Sequence, residues 1–177
     1  MHPMEVLITA DRIRERVTAL AAEMRPALAD GGPVTVVGVL TGSLVFLADL
    51  IRQLDVPVRI GLVQASSYRG TATTAGALVV NEGLLPDVTG RHLLLLDDIL
   101  DTGATIARLV EHLKARGAAS VRTCVLLRKL GRQTVPFEPD FVGFAIPDAF
   151  VVGYGLDFND EYRHLPFIGV LPGDHPH

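Results

Sequence analysis

Residues 93–105 of this chain read LLLLDDILDTGAT, a run of four leucines followed by a segment with three acids, two threonines and a glycine. A continuous apolar run of this length predicts a strand buried on both faces, as in the middle of a parallel sheet. The small polar residues after it predict a tight turn. The apolar spacing from Thr105 to Ala115 then predicts a helix that Gly117 ends. A chain with this unit at its centre is expected to adopt an α/β fold.

Strands and helices alternate along the rest of the chain. The hydrophobic patterns predict strands at 34–40, 58–65, 77–80, 92–96 and 121–127, and helices at 11–29, 43–54 and 105–115. Such alternation is typical of a mainly parallel, twisted sheet flanked by helices. The length of 177 residues suits one domain, which we expect to cover residues 1–177.

Three segments with polar residues follow predicted strands. They are residues 40–43 (LTGS), 97–105 (DDILDTGAT) and 128–129 (RK). Ligands of parallel α/β sheets bind beyond the carboxyl ends of the strands. We therefore expect these three segments to converge on one site.

The turn at 101–105 has the composition of a phosphate site. Backbone N–H groups at a helix start bind phosphate, Gly103 permits close approach, and Thr102 and Thr105 add hydroxyl donors. The adjacent carboxylates of Asp97 and Asp98 would repel a phosphate unless they serve hydroxyl groups or a cation. Helix capping alone would need one such residue rather than three acids in five positions. The pattern indicates a sugar phosphate bound together with a metal ion.

Segment 93–105 resembles the phosphoribosyl pyrophosphate motif of the type I phosphoribosyltransferases. That motif is an apolar strand, two acids, two apolar residues, then Asp-Thr-Gly and Thr, and Asp101 is what the members acting on 6-oxopurines carry. Order and spacing across nearly the whole chain are similar to the bacterial hypoxanthine-guanine phosphoribosyltransferases. The resemblance also runs through residues 40–46, 66–68, 127–129, 141–147, 150–157 and 162–166. It implies the type I fold, with a small hood built from the terminal segments.

The resemblance further implies an activity and its partners. The 5-phosphoribosyl group would pass from phosphoribosyl pyrophosphate to N9 of hypoxanthine or guanine, giving IMP or GMP and pyrophosphate. The implied cofactor is Mg²⁺. The implied setting is purine salvage in the cytoplasm, by a homo-oligomer that is a dimer or a tetramer.

The resemblance assigns the sugar and phosphate groups to separate sets of residues. Asp97 and Asp98 would hold the ribose hydroxyls and their Mg²⁺. The Leu40–Thr41 peptide would be able to adopt a cis form. The 5'-phosphate would lie against Asp101, Thr102, Gly103, Ala104 and Thr105, and the pyrophosphate against Thr41, Gly42, Ser43 and Arg163.

The purine is assigned to another set. Lys129 would donate to the oxygen at C6, Phe150 would stack on the ring, and the Val151 carbonyl would meet the N1 and C2 edge. Asp157 would belong to this purine set and would also hold a second Mg²⁺. Asp101 would also act near N7 as general acid or base.

Two segments carry further expectations. Residues 66–76 are small, polar and without periodicity, which predicts a mobile loop whose Ser67 and Tyr68 would cover the substrates. The family often has two basic residues after the base-selecting lysine, whereas this chain has Arg132 followed by Gln133. We expect this departure to affect either the affinity for pyrophosphate or the conformation of the loop after Lys129.

Composition limits the other classes of function. The net charge of −4 offers no general basic surface for nucleic acid. The apolar stretches are too short to span a bilayer, no secretory signal is readable, and the single Cys124 fits a buried structural thiol. Two alternatives stay open. One is a nucleotide-sensing regulator on the same fold, and the other is a sibling enzyme for xanthine or adenine.

Overall fold

The computed structural model describes residues 4–29, 31–67, 77–173 and 175. In chain order its elements are β1 (Glu5–Ile8), α1 (Ala10–Ala29), β2 (Val34–Val39), α2 (Leu44–Ile51), β3 (Val58–Ser67), β4 (Leu78–Leu84), β5 (His92–Leu100), α3 (Ala104–Ala115), β6 (Ser120–Lys129), β7 (Phe141–Ile146), β8 (Val151–Val152) and β9 (Ile168–Val170).

The main sheet has the strand order β4-β3-β2-β5-β6-β7. Every neighbouring pair is parallel except β3 and β4, which are antiparallel. The predicted α/β fold with a mainly parallel sheet is therefore confirmed. Strand β5 lies between β2 and β6, so the carboxyl ends of these three strands meet at one edge.

The leucine run in β5 is buried on both faces of the sheet. Leu94 and Leu96 pack in the cluster that contains α1 and α2, whereas Leu93 and Leu95 pack in the cluster that contains α3. Alternation along a strand sends successive side chains to opposite faces. A four-leucine run therefore joins both helical layers to one central strand.

A second, three-stranded sheet has the order β1-β9-β8 and is antiparallel throughout. Its strands come from the two terminal regions, which confirms the hood expected from the resemblance. The hydrophobic pattern did not predict β1, because four residues are too few to display a period.

Helix α1 packs across the main sheet and reaches its edge. It buries the apolar stripe Ile13, Val17, Leu20, Ala21, Met24 and Leu28, as its periodicity predicts. Arg16 donates from Nε to the Gly143 carbonyl at 2.8 Å and from Nη2 to the Val142 carbonyl at 2.7 Å. These bonds satisfy carbonyl groups of β7, the edge strand of the sheet.

Several predicted boundaries were wrong, and three of them concern the site. Strand β6 runs from Ser120 to Lys129, so Arg128 and Lys129 end that strand and do not follow it. Strand β5 continues to Leu100, so Asp97 and Asp98 lie inside the strand and not after it. Strand β3 continues through Ser66 and Ser67, which face Val79 and Leu78 of β4, so the predicted loop does not begin at Ser66. Polar residues extend these strands because a neighbouring strand satisfies their backbone groups, which local composition does not reveal. The rest of the predicted loop, Tyr68 included, lies outside the described residues.

Within the described ranges, no helix combines the length and the apolar character that spanning a membrane requires.

Candidate active site

The turn between β5 and α3 forms the floor of the site. Gly103 precedes α3 with φ +88°, a left-handed conformation that favours glycine. The first N–H groups of α3 have no partner within the helix. They adjoin a cavity of about 200 Å³ whose lining includes Asp97, Asp101, Thr102, Gly103 and Thr105. The turn predicted to bind phosphate thus opens onto a concave surface that carries both polar and apolar side chains.

A loop after β6 supports this turn from outside. The Thr102 carbonyl accepts a hydrogen bond from the backbone N–H of Thr134 at 3.0 Å. Gln133 donates to the Val135 carbonyl at 3.0 Å and accepts from Arg128 Nη2 at 2.9 Å. Arg128 in turn pairs with Glu138 at 2.7 Å. Gln133, the departure from the family pattern, therefore holds the loop that contacts the phosphate turn.

The paired acids Asp97 and Asp98 are partly buried and organise each other. Asp97 Oδ1 accepts from the backbone N–H of Asp98 at 2.9 Å, and Asp98 Oδ1 accepts from that of Ile99 at 2.8 Å. Burial, reinforced by the charge of Asp98, raises the pKa of Asp97 well above its ordinary value. A hydrogen-bond donor or a cation bound at this position would stabilise the ionised Asp97 carboxylate.

The loop after β2 approaches these acids closely. The Leu40–Thr41 peptide is cis, in accord with the conformation expected for it. A β-carbon on Gly42 would overlap the Asp98 carboxylate, so any other residue there would displace that side chain. Thr41 is exposed, whereas the buried Ser43 hydroxyl donates to the Val39 carbonyl at 2.6 Å. Ser43 therefore faces inward in this conformation, and its side chain is not presented to a pyrophosphate.

The segment after β8 closes another side of the site. An added β-carbon on Gly155 would lie 2.6 Å from the Gly42 carbonyl oxygen, so the two backbones are in contact. Arg163 Nη1 donates to the Gly155 carbonyl at 2.7 Å, and Nη2 lies 3.1 Å from Asp157 Oδ1. Asp157 Oδ2 accepts from the backbone N–H of Asp160 at 2.9 Å. Arg163 and Asp157 are thus paired beside the loop at 40–43.

Four charged side chains form a closed ring at the remaining side. Lys129 Nζ lies 3.9 Å from Asp101 Oδ2 and 3.7 Å from Asp148 Oδ1. Arg132 Nε donates to Asp101 Oδ1 at 2.8 Å and lies 3.9 Å from Asp148 Oδ2. The contact with Asp101 raises the pKa of Arg132. We call these four residues the charge ring.

Aromatic side chains surround Phe150. Its ring makes an edge contact with Phe158, with centroids 5.6 Å apart at 89°, and the His175 ring lies 5.0 Å away. Val151 is buried in β8 opposite Val170. Strand β8 and the residue before it thus hold two of the residues that the resemblance assigns to the purine.

Four neighbours of the site were not predicted. Asp148 completes the charge ring, Phe158 packs on Phe150, and the Tyr154 hydroxyl donates to Asp49 Oδ2 at 2.6 Å. Asp148 carried a usable signal, because it follows an apolar strand as Asp101 does. Phe158 and Asp49 depend on contacts between distant segments and have no local signature.

Sequence comparison relates the chain to known enzymes. Residues 8–159 match the family described as the phosphoribosyl transferase domain. The hypoxanthine-guanine phosphoribosyltransferase of Bacillus subtilis is 41% identical over 171 residues, which cover 96% of this chain and 94% of that protein. The enzyme of the same name from Streptococcus pneumoniae is 40% identical over 167 residues, covering 94% and 92%.

Structural comparison agrees. A hypoxanthine-guanine phosphoribosyltransferase from Bacillus anthracis, with a HEPES molecule in its active site, matches with a TM-score of 0.87 at 36% identity, covering 95% of this chain and 98% of that one. A mutant hypoxanthine phosphoribosyltransferase from Trypanosoma cruzi, solved as a ternary substrates complex, matches with a TM-score of 0.88 at 37% identity, covering 95% of each chain.

Proposed function

Because the chain belongs to the phosphoribosyl transferase family, we propose that it transfers the 5-phosphoribosyl group from phosphoribosyl pyrophosphate to N9 of hypoxanthine or guanine. The products would be IMP or GMP and pyrophosphate. We assign this activity to residues 1–177 as one domain and to purine salvage in the cytoplasm.

The observation that carries the proposal is the position of Lys129 beside Asp101. Lys129 is only 7% exposed, yet its ammonium group lies at the end of β6 next to the turn that suits a phosphate. A buried cation needs nearby carboxylates, and it favours a ligand oxygen over an amine. Hypoxanthine and guanine present such an oxygen at C6, whereas adenine presents an amine there.

The reaction follows from this arrangement. Purine N9 would form a bond to C1 of the ribose while the bond from C1 to the pyrophosphate oxygen breaks, and the pyrophosphate would leave with the electron pair. The Asp101 carboxylate would take the proton that the purine loses at N7. The 5'-phosphate would lie against Thr102, Gly103, Ala104 and Thr105, which fixes the ribose for in-line attack.

The acids of β5 fit the ribose and a magnesium ion. Among the residues that the structure describes, no group of three or more potential ligand side chains forms a metal site. Mg²⁺ does not require one, since it commonly binds through one or two carboxylates, substrate oxygens and water. Asp97 and Asp98 supply such carboxylates. The raised pKa of Asp97 means that its ionised form is disfavoured, and a bound cation would stabilise that form. Bound there, Mg²⁺ would neutralise charge on the leaving pyrophosphate.

Arg163 and Asp157, which pair with each other here, would each take a ligand as partner when the substrates bind. The guanidinium that pairs with Asp157 could turn to pyrophosphate oxygens, beside Thr41 and Gly42. The freed Asp157 carboxylate would then be available to a second magnesium ion. Phe150 and Val151 would contact the base, and Ser67 and Tyr68 would belong to a covering segment.

A homo-oligomer, either a dimer or a tetramer, belongs to the same proposal. A cavity of about 460 Å³ lies between α1, α2 and the segment at 163–166, and Tyr154 and Arg163 line it. Leu44 of α2 is 46% exposed. A concave surface that carries both apolar and charged side chains beside a site residue is suited to contact between subunits.

One assay tests the proposed function. Pyrophosphate release would be measured with phosphoribosyl pyrophosphate and hypoxanthine, guanine, xanthine or adenine, with and without Mg²⁺. We expect release with hypoxanthine or guanine only when Mg²⁺ is present. Release with adenine alone, or none with any base, would contradict the proposal.

A further inference from the structure

The charge ring brings together side chains from three strand ends. Asp101 follows β5, Lys129 ends β6 with Arg132 just beyond it, and Asp148 follows β7. Two carboxylates and two cations alternate around the ring, so its formal charge is zero. The proposed reaction has a use for Asp101 and Lys129 but, so far, none for Asp148.

The two cations of the ring lie at different distances from the carboxylates. Arg132 Nε makes a direct hydrogen bond to Asp101 at 2.8 Å. Lys129 Nζ lies 3.9 Å from Asp101 and 3.7 Å from Asp148, and both distances exceed the 2.7–3.2 Å of an ordinary hydrogen bond. The ammonium group therefore lies at nearly equal distances from two carboxylates and makes a direct hydrogen bond to neither of these oxygens.

A buried ammonium beside one carboxylate would normally close to hydrogen-bond distance, because the attraction grows as solvent is excluded. Such a contact would use a Lys129 donor and cover the Asp101 oxygen Oδ2. A second carboxylate at a similar distance competes with this attraction. Asp148 supplies that carboxylate, and Arg132 fixes the other Asp101 oxygen.

We propose that Asp148 is a positioning residue for base recognition, which holds the Lys129 ammonium away from Asp101. Lys129 is thereby left to donate to the purine oxygen at C6, and Asp101 keeps an oxygen for N7. This inference rests on the proposed function and assigns selectivity for 6-oxopurines to the ring as a whole.

Removal of the Asp148 carboxylate provides the test. In Asp148→Asn the formal charge of the ring becomes +1, and Lys129 would move onto Asp101. We expect KM for hypoxanthine to rise about tenfold, in line with the loss of one charge-assisted hydrogen bond, while KM for phosphoribosyl pyrophosphate stays within about twofold. The preference for hypoxanthine over adenine should narrow by a similar factor.

Three further variants sharpen the experiment. Asp148→Glu restores the charge and should recover most of the affinity for hypoxanthine. Asp148→Ser removes the carboxylate with a smaller side chain and should repeat the selective loss if the asparagine variant is unstable. Asp11→Asn removes an exposed carboxylate that also pairs with an arginine, Arg14, and is the matched control.

The outcomes separate the two proposals. If the unmodified protein forms no nucleotide from any base, the proposed function fails. If it acts on hypoxanthine, two results would overturn the role of Asp148: an unchanged KM for hypoxanthine in Asp148→Asn and Asp148→Ser, or an equal rise for both substrates.

Discussion

The carboxylate of Asp98 lies directly against the α-carbon of Gly42, in the space that a β-carbon would occupy. This contact joins the loop after β2 to the acids of β5. The proposed pyrophosphate and ribose subsites therefore share a wall.

Gly42→Ala should separate these two subsites. The added methyl group would displace the Asp98 carboxylate, and a misplacement of about 1 Å can cost roughly 100-fold in rate. We expect kcat/KM for phosphoribosyl pyrophosphate to fall by about that factor. Gly83→Ala is the control, because its β-carbon would make an ordinary contact of 3.4 Å with Asn81. Equal activity of the two variants would contradict a shared wall.

Asp101→Asn tests the proton transfer at N7. The amide keeps the shape of the side chain and the backbone of the phosphate turn but cannot take a proton. We expect kcat to fall by about 10²–10⁴, with IMP binding, measured by calorimetry, changed far less. A variant that retains its kcat would remove Asp101 from the mechanism.

Lys129→Ala tests base recognition. Loss of a donor to the C6 oxygen should raise KM for hypoxanthine by about tenfold or more, with little effect on phosphoribosyl pyrophosphate. Steady-state kinetics with each substrate varied in turn would measure this. Because Lys129 is buried, a melting curve must accompany the assay, and parallel losses for both substrates would indicate a folding defect.

Asp97→Asn should stabilise the protein without ligands. A carboxyl whose pKa is raised on folding stabilises the fold when protonated, fully below about pH 4, and that contribution is lost as pH rises through the folded-state pKa. At pH 8 the Asp97 carboxyl is freely ionised in the unfolded chain, whereas burial disfavours its ionisation in the folded chain, and this difference lowers the free energy of unfolding. We expect the variant to be more stable by on the order of 1 kcal/mol, or roughly 2–4 °C in Tm.

The same Asp97 measurement has an internal control. The gain in Tm should shrink at pH 5, and Mg²⁺ with phosphoribosyl pyrophosphate should raise Tm less in the variant than in the unmodified protein. A lower Tm for the variant at pH 8 would mean that the Asp97 carboxylate supports the fold.

Local patterns predicted much of the molecule. The leucine run and the turn after it have short-range signatures, so the central unit of β5 and α3 could be predicted before any contact was known. The sequence did not reveal Asp148 as a member of the charge ring, because it meets Lys129 and Arg132 only through the fold. Nor did it indicate that Ser43 faces inward, since the hydrogen bond to Val39 depends on the course of the loop.

The leucine run of β5 leaves the register of the central strand to be set at the two ends of the run. Leu93 to Leu96 supply the same side chain to both faces, so a shift of the strand by one residue would still place leucine at three of these four positions. The fourth position would receive His92 or Asp97, and each acid would move to the other face of the sheet. A polar side chain would then enter the core at one end of the run, and this cost is what fixes the register of β5.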